Sequence, residues 1–494
     1  MGLGNFFTYN GVVRAMPCQV PEGGNRRRRS TLKVQPDHSS KEIVSGHSSD
    51  VIFYVVAIAV GAITGTLGTI LHLGVDRLLA WPKMLRPILG GEGPSYCLAT
   101  GAVAAIMVVL SVWLVRTLVP EAAGSGVQEI EGAMAGVRKI RWARVLPVKF
   151  FGGFLSLGSG LVIGREGPTI HIGAAVSQAF SEWMRLPDRD GRALLAAGGA
   201  AGLAAAFSAP LASILFVIEE TRRQFPYSLK SYTALMLSSV TSGIVTEAIA
   251  GRRPFMALSV PDISLLWFPA FIVLGFFLGI LGVLFNHALI WSLDLSLTIG
   301  RRISYYVFPV VVGFVVGVLL IVQPEATMGG DNLAVRLIGE NLPLTIIAII
   351  VVSRFIMTMA SYSTGVPGGI FAPILSLATA IGLLYGLLLS SVLPLPAGVE
   401  ATFAAAAMGG LFSSTVRAPL VGIVLIAELT GAYSALIPTI LTCLFANLIA
   451  DWFGGRPIYE VLLERTLALA GNQAPNTTPR NANSSPEIGG WDQR

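Results

Sequence analysis

Long stretches without a single charged side chain limit what this sequence can become. Residues 51–72, 98–115, 231–246, 263–285, 305–323, 341–353 and 429–450 contain no Asp, Glu, Lys or Arg. A helix of about 20 residues crosses the roughly 30 Å hydrocarbon layer of a bilayer, and most of these stretches approach or exceed that length. A transmembrane barrel would show segments of about ten residues with alternating polarity instead. Only 13% of the residues are charged while 53% are hydrophobic. A soluble chain carries charge on about a quarter of its residues, so the natural solvent here is lipid. The expected fold class is an all-α polytopic membrane protein.

The net charge of +6 sits in short clusters between apolar stretches, a distribution that does not call for nucleic acid. Cys18, Cys97 and Cys443 lack metal-ligand spacing and read as free thiols. The sequence calls for no metal and no cofactor. Residues 1–50 form a polar leader with a basic run at 26–29. It holds no apolar core that would read as a cleaved signal peptide, and the positive-inside rule keeps it cytoplasmic. Residues 471–494 are rich in Asn, Pro and Ser and are expected to be a disordered cytoplasmic tail. The sequons at Asn476 and Asn483 carry no meaning there. Between these ends lie a first transmembrane half, 51–250, and a second, 251–470.

Other uncharged segments do not suit a simple spanning helix. Residues 150–164 and 167–181 are short and glycine-bearing, with Arg165 and Glu166 between them. Residues 355–399 are uncharged throughout but broken by Gly365-Val-Pro-Gly-Gly369 and Pro373. Broken hydrophobic segments in two halves of a chain mark a transport site built from discontinuous helices. A repeat supports the division into halves. APLASILFVIEET at 209–221 matches APLVGIVLIAELT at 418–430 in the opening Ala-Pro-Leu, in Ile214 and Ile423, in Glu219 and Glu428, and in Thr221 and Thr430. Sequence alone leaves open whether the halves are parallel or inverted.

An anion crossing a membrane needs donors that hold it without trapping it. Helix N-termini provide unpaired N–H groups and the positive end of a dipole. Glycine lets the backbone approach the ion, and hydroxyls add donors without charge. Three stretches have this character: Gly124-Ser-Gly-Val-Gln-Glu129, Gly164-Arg-Glu-Gly-Pro168 and Gly368-Gly-Ile-Phe-Ala-Pro373. Each precedes an apolar segment, and Pro168 and Pro373 suit the first turn of a helix. Taken singly, such a break reads equally well as a kink or a close helix crossing.

In this order, and with Tyr433 near the end, the three stretches resemble the signature motifs of the CLC chloride channels and exchangers. The resemblance covers about 51–470. It implies a fold of two inverted repeats with tilted and broken helices. It also implies a homodimer joined through helices near 209–247 and 418–450, with one pathway per subunit. Carried over to these positions, Ser125 and Tyr433 would donate hydroxyls to a central chloride, and the N–H groups of Ile370 and Phe371 would complete that site. The backbone at Arg165, Glu166 and Gly167 would form an outer site. Glu166 would be the gating glutamate, occupying an anion site when ionised and leaving it when protonated. Glu220 would be the internal proton glutamate, an acid that the exchangers of the family carry and its channels generally lack. It has no counterpart in the repeat, where Leu429 stands, whereas Glu219 repeats as Glu428 and reads as structural. Gln128 departs from the family pattern, which places proline there. His171 receives no role.

The implied function is exchange of chloride for protons by a multi-pass protein of a bacterial inner membrane, with both termini cytoplasmic. A passive channel of the same fold is the alternative. An intramembrane enzyme is remote, because no HExxH, GxSxG or metal-spaced set occurs.

Overall fold

The structure, a computed structural model, describes residues 39–471 apart from 89–90, 92, 252–255, 257, 259, 262, 331–332 and 340–341. Most of the expected leader and tail lies outside the described residues. Contacts divide the chain into Met1–Ser48 and Ser49–Arg494, and the fold is that of the second unit.

Eighteen α-helices occur among the described residues. The first half holds α1 (Ser39–Leu78), α2 (Trp81–Leu85), α3 (Pro94–Leu118), α4 (Val127–Met134), α5 (Trp142–Gly158), α6 (Glu166–Trp183), α7 (Asp188–Phe207), α8 (Pro210–Glu220) and α9 (Leu229–Ala250). The second holds α10 (Phe268–Arg302), α11 (Val307–Val322), α12 (Leu333–Gly339), α13 (Leu344–Tyr362), α14 (Phe371–Ser390), α15 (Val399–Val416), α16 (Pro419–Thr430), α17 (Leu436–Trp452) and α18 (Ile458–Gly471). Seven helical stretches are long and apolar enough to cross a membrane. They involve α1, α3, α9, α10, α13, α14 and α17. Their outward faces expose large apolar side chains, such as Val51, Val55 and Ile58 on α1 and Leu98, Ile106 and Trp113 on α3. In water such faces would be a liability; against lipid they are the solvent boundary.

Two central helices were not apparent as spans in the sequence. From Ala193 to Phe207 in α7, and at every position of α15 except Glu400, the residues are buried. Their Ala and Gly content lets neighbouring backbones close in: a side chain at Gly202 would strike the carbonyl of Thr169 on α6, and one at Gly382 on α14 would strike that of Phe403 on α15. Small residues at helix crossings serve this purpose in membranes.

The order of elements repeats. A glycine-bearing loop, α6, the Ala/Gly-rich α7, the Ala-Pro-Leu helix α8 and the apolar α9 correspond to a loop, α14, α15, α16 and α17. The two Ala-Pro-Leu helices run antiparallel and cap each other. Leu211 N donates to Glu428 Oε1 at 3.0 Å and Ala212 N to Glu428 Oε2 at 2.6 Å. In return, Val421 N donates to Glu219 Oε2 at 2.9 Å and Leu420 N to Glu219 Oε1 at 3.4 Å. Each carboxylate ends one helix and satisfies the orphan N–H groups that start the other. This exchange resolves the orientation that the sequence left open: the repeats are inverted.

Candidate functional site

The three glycine-bearing loops meet. Gly124 N donates to Val366 O at 3.0 Å, and Gly368 N donates back to Gly124 O at 3.1 Å. Gly164 and Gly369 exchange both of their backbone hydrogen bonds at 2.8 Å. Irregular backbone that would be ruinous in lipid is thereby satisfied by irregular backbone from the other half. The packing leaves no room for side chains. A Cβ on Gly167 would lie 2.8 Å from both Gly369 N and Ser125 Cα, so glycine there is a condition of the three loops touching at all.

From this junction three helices lead away. Gly126, Arg165 and Ile370 occupy the N-cap positions of α4, α6 and α14. The loops are braced from behind: the fully buried Lys149 on α5 donates from Nζ to Gly124 O at 2.7 Å, Ser156 Oγ donates to Pro367 O at 2.6 Å, and Ser125 N donates to the Tyr362 hydroxyl at 3.4 Å. Lys149 and Tyr362 were not singled out in the sequence, because neither belongs to one of the three motifs.

Glu166 is the first residue of α6 and is 1% exposed. Its Oε1 accepts from Phe371 N at 2.7 Å, so its carboxylate sits on the N-terminus of α14. That N-terminus is where the sequence placed an anion. The Phe371 N–H at the start of α14 thus donates to a negatively charged group. Ile370, Phe371, Gly167 and Arg165 all line this junction and are buried.

Ser125 is 1% exposed, and its Oγ accepts from Val127 N at 3.2 Å. The expected second hydroxyl is not at hand. Tyr433 is 72% exposed, on a short turn between α16 and α17. Tyr459 takes the place expected of it. It is the second residue of α18, fully buried, lies beside Ser125, and its ring stacks on that of Phe371 at 6.5 Å. Its hydroxyl is buried next to the Ser125 side chain. The signal for Tyr459 was present in the sequence: Gly454-Gly-Arg-Pro457 is a fourth glycine-bearing break before a helix.

Glu220 ends α8, half-buried, in a cleft lined by Glu131, Arg222, Arg223, Arg417 and Glu460. Phe216, one turn earlier on α8, meets the Phe371 ring at 5.1 Å. Aromatic rings thus separate Glu220 from the junction at Glu166. Leu429, the repeat counterpart of Glu220, is fully buried.

These features define a class: a polytopic helical transporter whose inverted halves meet at helix N-termini fit for an anion. The sequence profile of the family described as "Voltage gated chloride channel" matches residues 106–451. The H(+)/Cl(−) exchange transporter ClcA of Vibrio parahaemolyticus is 40% identical over 446 residues, covering 89% of this chain and 95% of that protein. The solved structure of a slow cyanobacterial Cl−/H+ antiporter superposes with a TM-score of 0.78 at 37% identity, covering 84% of this chain and 98% of that one. A eukaryotic CLC transporter superposes with a TM-score of 0.68 at 26% identity, covering 84% and 75%. The chain belongs to the voltage-gated chloride channel family, CLC.

Proposed function

We propose that the protein exchanges chloride for protons across a membrane, with Glu166 as the gate. The observation that carries this reading is the Glu166 carboxylate on Phe371 N–H, in the place of an anion. An ionised carboxylate and a chloride compete for the same donors. Protonation weakens the carboxylate as an acceptor and lets it leave, so one group ties proton binding to anion movement. Ser125, Tyr459 and the N–H groups of Ile370 and Phe371 hold the central anion, and the backbone from Arg165 to Gly167 serves the outer position. Glu220 takes protons at the other face, in the cleft beside Glu131. The named relatives, an H(+)/Cl(−) exchange transporter and a Cl−/H+ antiporter, favour exchange over a passive channel.

The working unit is a homodimer in a bacterial inner membrane, with both termini in the cytoplasm. Leu211, Ile244, Leu420, Ile437 and Leu448, all more than half exposed, give α8, α9, α16 and α17 an apolar face for that contact.

The purified protein in liposomes tests the exchange. A chloride gradient drives protons uphill in the opposite sense; chloride movement with no proton movement would leave the channel reading. Glu166→Gln abolishes proton transport and keeps chloride flux. Normal coupling in that variant removes Glu166 as the gate.

A further inference from the structure

Arg165, the residue that caps α6 immediately before Glu166, is held from two sides. Its Nε donates to Ala206 O at 3.1 Å, and its Nη1 lies 3.1 Å from His72 Nε2 on α1. A guanidinium only donates, so Nε2 accepts and the ring is neutral, with its proton on Nδ1. That Nδ1 is buried and has no hydrogen-bond partner. Asp76, one turn further along α1, places Oδ2 3.6 Å from the same Nε2. One ring nitrogen therefore faces both a cation that requires it bare and a carboxylate that would welcome it protonated.

We propose that His72 is a positioning residue for Arg165, and that its protonation from the outer solution turns the ring to Asp76, frees Arg165 from this contact and speeds anion entry. This rests on reading Glu166 as the gate. A second proton on the ring removes the acceptor for Arg165 and sets two cations against each other. It also adds a positive charge at the mouth through which an anion reaches Glu166.

Water has access. The His72 and Asp76 side chains are 24% and 54% exposed, and a cleft runs over Asp76, Gly164, Arg165, Glu325, Arg336 and Arg354. Across it, Arg336 donates to Glu325 at 2.8 Å, and Arg354 is bound to the carbonyls of residues 325 and 327–329 and to Ser376. From α9, which meets α1 at Thr69 and Thr246, the neighbouring charge is Glu247. Helices α5 and α7 meet this part of α1 through Phe154 and Ala205. The charges of α7 are confined to its first turns, and Lys149 of α5 is bonded to Gly124 O. The cleft opens on the face away from Glu220. Asp50 near the start of α1 and Asp190 in the first turn of α7 share Lys230. α8, following α7, runs back toward that face and ends at Glu220. His72 lies about 33 Å along the helix from Asp50, at about 1.5 Å per residue.

The test uses Glu166→Gln protein in liposomes, where the gate no longer titrates. Inner pH is held constant and outer pH is lowered from about 8 to about 5, the span in which an imidazole changes charge. Chloride uptake rises about two- to fourfold, the effect of one added charge a few ångströms from the path. Adding His72→Gln, which can accept from Arg165 but takes no proton, abolishes the rise. Adding Asp76→Asn, which removes the carboxylate that receives the charged ring, reduces it and serves as the deciding variant if the glutamine form does not reconstitute. A flat response in Glu166→Gln alone overturns the proposal, and so does an unaltered response in either double variant. Proton coupling that survives Glu166→Gln means that the gate assignment has failed instead.

Discussion

The two halves share one frame and differ at two positions that matter. α6 and α14 begin two residues after the paired glycines Gly164 and Gly369, one with Glu166 and the other with Phe371. α8 ends with Glu219–Glu220, and the matching pair in the last turn of α16 is Glu428–Leu429. At both positions the first half carries an acid and the second an apolar residue. Where the acid repeats, as in Glu219 and Glu428, it caps a helix of the opposite half. Repetition therefore marks scaffold, and broken repetition marks the two acids proposed to handle protons. An inverted repeat can satisfy its own backbone symmetrically, but directional coupling of two ions needs groups that the pseudo-two-fold does not duplicate.

Six substitutions break or sharpen this comparison. Glu220→Gln has the largest effect: proton transport in a liposome assay falls by about a hundredfold or more, the scale at which a positioned proton carrier contributes, while chloride still moves. Leu429→Glu restores the repeat on paper but buries an unpaired carboxylate. It lowers stability by about 3–5 kcal/mol, read from thermal unfolding in detergent, and confers no second proton route. Tyr459→Ala weakens chloride binding about tenfold, or about 1.4 kcal/mol for a lost donor at a charged ligand, by calorimetry. Tyr433→Ala leaves binding as it was, and the reverse ranking would restore Tyr433 to the site. The smallest and most symmetrical effect belongs to the caps. Glu219→Ala and Glu428→Ala each cost about 1–2 kcal/mol of stability and leave the ratio of chloride to protons unaltered.

Much of this was legible in the sequence because the bilayer imposes simple demands. Charge-free runs announced the outer spans, and the three loops showed where regular helix had to stop. The antiparallel exchange between Glu219 and Glu428 was foreshadowed by a repeated acid whose partner could not be seen. The central helices were harder to see, since Ala and Gly in α7 and α15 serve close packing against protein rather than contact with lipid. The tyrosine was misplaced for a related reason. Position 433 follows the repeat in the chain, but α18 is what folds back against α4 and brings residue 459 to Ser125. Position along the chain does not reveal such a return.

The hydrogen bond from Phe371 N–H to Glu166 has a consequence for how the site responds to salt. A ligand tethered to its own receptor competes at an effective concentration set by its leash rather than by the solution, of order millimolar or more for a short tether. In the proposed gating, chloride must exceed that standing competitor, or a proton must disarm it. On that reading the same residue meters halide concentration and acidity on a single scale, and raising either one shortens the time that the path is closed.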